Sequence, residues 1–170
     1  MSLDPAAELR LAFHEAGHAV VALSLGCRVA RITAPRTGDL HWQSWVELQP
    51  DHLKSASILL AGQLAARLHG ASCGWLVTRL PDGTPIYRTE AQLGCAEDMD
   101  RVRLLALSKC VGSSDPLPVL GWVDRAYRRA GHILTRPSHW QATHAIALAL
   151  LETEVLAGRD VTYLVQGHGP

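Results

Sequence analysis

The sequence predicts a mainly α-helical chain carrying two β-hairpins, residues 1–170 forming a single domain, and three observations lead there. The 170 residues are 48% hydrophobic and 19% charged, enough for one packed core and cramped for two. Apolar residues recur at three- and four-residue spacing through several long stretches, the period of a helix with a buried face. Two shorter stretches instead set β-prone residues on either side of strong turn chemistry.

Taken in order, Asp4-Pro5 supplies an N-cap acceptor followed by a proline whose missing N–H does no harm, and the run that follows meets no breaker before Gly26. This is one long helix. Arg28 to Ala34 then carries Val29 and Ile32 among small or polar residues, Thr37-Gly38-Asp39 interrupts, and Trp42 to Leu48 resumes with β-prone aromatics, which predicts a hairpin. From Leu53 to Gly70 the positions Ser57, Leu60, Ala61, Leu64 and Leu68 mark a helix with one buried stripe. Trp75 to Thr78 and Ile86 to Thr89 flank Pro81-Asp82-Gly83-Thr84-Pro85, a second hairpin. A helix over Ala96 to Lys109 turns Met99, Val102, Leu105 and Ala106 inward and stops at Gly112-Ser113-Ser114. Asp115-Pro116 repeats the cap-and-proline opening for a helix whose stripe is Leu120, Val123, Tyr127, Ala130 and Leu134, and Arg136-Pro137 ends it. The last helix is expected to bury Trp140, His144, Ala147, Leu148, Leu151 and Val155 and to close at Gly158, leaving a short tail.

Composition excludes several functions. Sixteen basic and sixteen acidic residues give no net field to gather phosphate backbones, so general nucleic-acid binding is not expected. The most apolar stretch, Ala145 to Leu151, is far short of the ~20 residues that cross a membrane. The N-terminus carries Asp4 and Glu8 rather than a basic, then greasy, export signal, so the expected location is cytoplasmic. Cys27, Cys73, Cys95 and Cys110 contain no Cys-x-x-Cys pair and read as reduced thiols.

The chemistry is concentrated in His14-Glu15-Ala16-Gly17-His18, a His-Glu-x-x-His pattern. Residues four apart on a helix share a face, so both imidazoles can reach one metal ion, and Glu15 stands where a carboxylate can take a proton from a water and pass it on. Two stacked histidines and a glutamate in the apolar frame of Phe13, Ala16, Ala19 and Val20 would be costly to bury with no such partner. A catalytic zinc needs a third protein ligand. The extended metzincin form would place a histidine at position 24, where Ser24 stands. Glu47, Glu90, Glu97, Asp98, Asp100, Glu152 and Glu154 are all open as carboxylate candidates by spacing. His41, His52, His69, His132, His139 and His144 read as ordinary surface or loop residues, and the Arg125, Arg128, Arg129 group as a solvated helix face. Most of the five tryptophans read as packing, with Trp42 and Trp75 placed to line a cleft if the hairpins flank the site.

Leu11 to Ala22, with its Ala-Gly motif interior, resembles the motif helix of the peptidase domain of the FtsH-type ATP-dependent zinc metalloproteases. Leu60 to Gly70 is similar to that family's second, small-residue helix, with Ala66 and Arg67 where the family has an acidic pair. Gly94-Cys95-Ala96-Glu97-Asp98 is similar to its Gly-Ala-x-Asn-Asp segment, and Ala147 to Val161 resembles its final block through Leu156, Gly158, Asp160 and Val161. The resemblance implies a helical array with a small β-ribbon, zinc held by His14, His18 and Asp98 with Glu97 as the fallback, and Glu15 activating a zinc-bound water. It implies cleavage of unfolded or flexible polypeptides, with the Trp42 to Leu48 strand pairing with the substrate. No Gly-x-x-x-x-Gly-Lys-Ser/Thr phosphate loop occurs, so an ATPase would have to act in trans, and oligomeric state stays open. Ala71 to Leu93 is longer than the family's equivalent and reads as an inserted hairpin, either overhanging the metal cleft or decorating the surface. The rival reading is a non-catalytic, zinc-stabilised binding module on the same fold.

Overall fold

Small and apolar residues dominate Leu11 to Ala22, and in the structure, a computed structural model, all of them are buried, the motif residues included. The structure describes residues 5–34, 43–47, 51–70, 75–79, 85–89, 95–109 and 117–167. Helix α1 (Pro5–Ser24) is therefore the central element, enclosed by α2 (His52–Leu68), α5 (Pro137–Glu152) and a small sheet. A helix buried all round needs short side chains where neighbours cross. A Cβ added to Gly17 would lie 2.6 Å from both the carbonyl oxygen of Ala61 and the Cβ of Ala65, so α1 and α2 meet there almost backbone to backbone.

Helix α2 starts where Asp51 accepts hydrogen bonds from the backbone N–H groups of Leu53 and Lys54, satisfying two donors that would otherwise lack partners. The expected single stripe is too narrow. Every residue from Ser55 to Ala66 is buried, because α1 covers one side of α2 while α3 (Cys95–Lys109) and α4 (Leu117–Leu134) cover the other. Leu68, counted in the stripe, is exposed. Ser57 is accommodated by donating its hydroxyl to the carbonyl of Leu53 within the helix.

The first hairpin is present as β1 (Val29–Thr33) and β2 (Gln43–Val46), antiparallel; its turn lies outside the described residues. The second is present as β3 (Trp75–Arg79) and β4 (Pro85–Thr89). Whether it overhangs the cleft depends on flanks outside the described residues, as do the Asp4 and Asp115 caps and the side chains of Trp42 and Trp75.

The largest departure is at the C-terminal end. The expected last helix stops at Glu152, and Val155 lies in a strand, β5 (Val155–Ala157), which pairs antiparallel with β1. A further helix, α6 (Gly158–Gly167), occupies the expected tail. Thr153 ends α5 in an extended conformation while its hydroxyl bonds back to Ala149. Gly158 then passes so close to the Val29 carbonyl that no Cβ would fit. The buried face of α5 is also turned from that expected, being Ala142, Thr143, Ile146, Ala147 and Leu150, with Leu148 exposed. In α4 the most buried positions are Ala126, Ala130, Ile133 and Leu134, with Leu120, Val123 and Tyr127 half-buried.

The result is a mainly helical array with a three-stranded sheet in the order β2-β1-β5 and a separate two-stranded ribbon. Ser44, Ile32 and Leu156 form one row across the larger sheet, and Ile32 and Leu156 are buried, so this face looks onto the core. In α3 Val102 and Ala106 are buried, and Val102 packs with Ala56, Leu59 and Leu60 of α2, an anchorage that places its first turn over the α1–α2 crossing. No helix among the described residues is long and apolar enough to cross a membrane.

Candidate metal centre

One helical turn separates His14 from His18, and their Nε2 atoms come within 2.9 Å of each other, the rings set edge to face. Asp98, in the first turn of α3, brings its Oδ2 to 3.1 Å from His14 Nε2 and 3.0 Å from His18 Nε2. Three donor atoms from two distant parts of the chain thus converge on one point. Both rings press on the α2 backbone at Gly62, where an added Cβ would lie 2.5 Å from His18 Nε2 and 2.7 Å from His14 Cε1.

The hydrogen bonds dictate what the point requires. A carbonyl can only accept, so His18 Nδ1 donates to Ile58 O at 2.7 Å, and in the neutral imidazole that leaves Nε2 with only a lone pair. That lone pair faces a carboxylate oxygen and a second imidazole nitrogen, so the contacts repel unless a proton or a metal ion is shared among the three. A proton can serve. Burial alone pushes His18 down, but the adjacent Asp98 carboxylate, helped by Glu15, outweighs it and pushes the imidazole up to about 9. Burial conversely works to raise Asp98, yet His18 and His14 hold it well below the usual carboxylate range. A divalent ion meets the same demand with two charges. Donors around a tetrahedral zinc, bound at about 2.0–2.1 Å, stand about 3.3 Å apart, so the trio fits a metal after opening by a few tenths of an ångström. The buried His14 and His18, with the half-buried Asp98, could therefore hold a metal ion.

Glu15 is buried but is not one of the converging donors. Its Oε2 accepts a hydrogen bond from the Ser44 hydroxyl at 2.6 Å, and the same hydroxyl lies 3.0 Å from the Glu15 backbone carbonyl. A hydroxyl has one proton, and the charged acceptor is the stronger, so Ser44 ties the carboxylate to β2.

The remaining acids are elsewhere. Glu97 is exposed and paired with Arg101, which removes the fallback, and Glu47 is paired with Arg28 at the surface. Asp100, Glu152 and Glu154 are exposed, and Glu90 lies outside the described residues. Among the histidines, His52 faces Ser108, while His69 and His144 surround Phe13 with Trp140, where burial and then the neighbouring His144 hold His69 below its ordinary range. His41 lies outside the described residues. Sequence reasoning missed Ser44, Gly62 and the Ile58 carbonyl. Alternation along β2 puts Ser44 on the core face, but only the register with Ile32 aims it at Glu15.

Two expectations follow. Gly62→Ala should displace both imidazoles, weakening metal binding by tenfold or more and costing roughly 1–3 kcal/mol of stability, measurable by metal competition and by urea denaturation. In metal-free protein His18 is raised from 6.5 to about 9, so its contribution to stability is complete below pH 6.5 and is lost as pH rises through about 9. The depressed Asp98 contributes above its ordinary 3.8 and loses that contribution as pH falls through its folded value. Denaturation at several pH values should show stability declining between pH 6.5 and 9, and His18→Asn should flatten that decline.

No protein-family model matches the chain, and no curated protein matches it.

Proposed function

We propose that the chain is a zinc-dependent metallopeptidase that hydrolyses peptide bonds of unfolded or flexible polypeptides, as the resemblance to the FtsH-type peptidase domain implies. One observation carries the reading: Asp98, 84 residues from His14, closes on the His14–His18 pair, while Glu15 beside them stays out of the donor set. In a zinc peptidase three protein donors leave a position for solvent, and the acid following the first histidine handles protons.

Bound at His14, His18 and Asp98, zinc would supply Lewis acidity, lowering the pKa of a water and polarising a carbonyl. The chain's residues do the rest. Asp98 offsets one of the ion's charges, and the Ile58 carbonyl fixes the His18 ring so that Nε2 faces inward. Glu15 accepts the proton of the attacking water and returns it to the departing amine. Ser44 holds the Glu15 carboxylate in position for both transfers. Strand β2 is at the margin of its sheet among the described residues, so its outer edge is open to an extended peptide, paired through backbone hydrogen bonds and tolerant of sequence.

The test is cleavage of unfolded casein by zinc-loaded protein, with Glu15→Gln alongside. Cleavage that depends on Glu15 supports the reading; casein left intact by both proteins overturns it. Ser44→Ala should lower kcat about tenfold with little change in KM, whereas Ser44→Thr, which keeps the hydroxyl, should retain most of the rate.

The burial of His14, Glu15 and His18, each no more than 6% exposed, favours a second reading, a zinc-stabilised binding module without turnover. It requires a fourth protein ligand or a closed approach, with full metal content and no Glu15-dependent cleavage.

A further inference from the structure

A second polar site lies at the far end of α1. Ser24, at its border, is ten residues from His14, or about 15 Å of helix. The ends of α1 and α4 and the start of α5 border an open surface cleft of about 340 Å³, at the low end of small-molecule sites. Four of its lining residues are Arg129, His132, Arg136 and His139, two others are Leu25 and Ile133, and among the described residues no acid lines it. In a chain with equal numbers of acids and bases, this local excess is not inherited from composition.

Among the described residues no ion pair neutralises these groups. Arg28, Arg101, Arg128 and Arg159 each lie against a carboxylate. Arg136 instead donates from Nη2 to His132 Nε2 at 3.3 Å, and among the described residues neither Arg129 nor Arg136 has a carboxylate within ion-pair distance. Asp51 is close enough for Arg129 to help hold its carboxyl low, but Asp51 is occupied in capping α2. His139 donates Nδ1–H to the Ile133 carbonyl, which fixes its ring and leaves Nε2 for another partner. The first turn of α5, which carries His139, has no acidic residue and no side-chain cap to compete with an incoming anion.

We propose that this cleft binds a small organic phosphate monoester. Two guanidinium groups and an imidazole can serve all three terminal oxygens of a phosphoryl dianion, more acceptors than a carboxylate offers. The volume exceeds that of phosphate alone, and Leu25 and Ile133 give the organic part an apolar wall.

The test is a titration of the full chain, followed by amide NMR at fixed ionic strength, with inorganic phosphate and with phenyl phosphate as probes. Saturable shifts confined to residues around positions 25, 129–139 and the start of α5, with phenyl phosphate binding more tightly, are expected. Arg136→Ala should weaken binding about tenfold and Arg129→Ala together with Arg136→Ala should abolish it, while His14→Ala leaves it unchanged. Equal affinity for the two probes would overturn the organic ligand. Shifts unaffected by the double variant, or lost in His14→Ala, would overturn the site itself.

Discussion

Replacing Asp98 with asparagine should leave a folded chain that no longer retains metal. The amide keeps the shape of the carboxylate but removes its charge and its strongest donor oxygen, leaving two imidazoles to hold the ion. Changes to groups that only orient a metal ligand already cost 10–100-fold in affinity, so losing a ligand is expected to cost about 100-fold or more. Folding should survive because His18, without the carboxylate beside it, gives up its proton and remains a neutral buried imidazole still bonded to Ile58. Zinc per chain after dialysis, with affinity from competition against a chelator, is the measurement. Glu97→Gln is the control, since that side chain is exposed and engaged with Arg101.

Glu15→Gln should separate metal binding from turnover. Glu15 is not among the converging donors, so zinc content and affinity should match the parent protein. The amide oxygen can still accept from Ser44, so the side chain should stay in place, but it can no longer accept a proton from water. General-base groups are worth about 10²–10⁴ in rate, and a loss of that size in casein cleavage is expected at matched zinc content. A variant that lost zinc along with activity would instead make Glu15 a ligand.

The motif helix was legible because its signal is local: four-residue spacing alone puts His14 and His18 on one face of α1. The first hairpin, the inserted hairpin and the span of α3 were legible for the same reason, each being set by short-range periodicity and turn residues. Asp98 was open to several rivals on spacing, and only the family resemblance singled it out. The physical cause of its placement is tertiary, the anchoring of Val102 and Ala106 that brings the first turn of α3 over the α1–α2 crossing. Buried faces were read less well where a helix is enclosed on several sides. Alanine and serine in α2 carry little apolar signal, yet every residue from Ser55 to Ala66 is buried. Strand β5 was missed because Val155-Leu156-Ala157 is too short to show a period of its own and is defined by its pairing with β1. Ser44 likewise gains its partner only through the sheet register.

X-ray absorption at the zinc edge of metal-loaded protein tests the shared coordination sphere most directly. Two imidazole nitrogens and one carboxylate oxygen from the chain, with a further light atom from solvent, at distances of about 2.0–2.2 Å, are the predicted result, with the carboxylate contribution lost in Asp98→Asn if any zinc is retained. A sulfur ligand, a third imidazole, or a spectrum that Asp98→Asn leaves unchanged would contradict it.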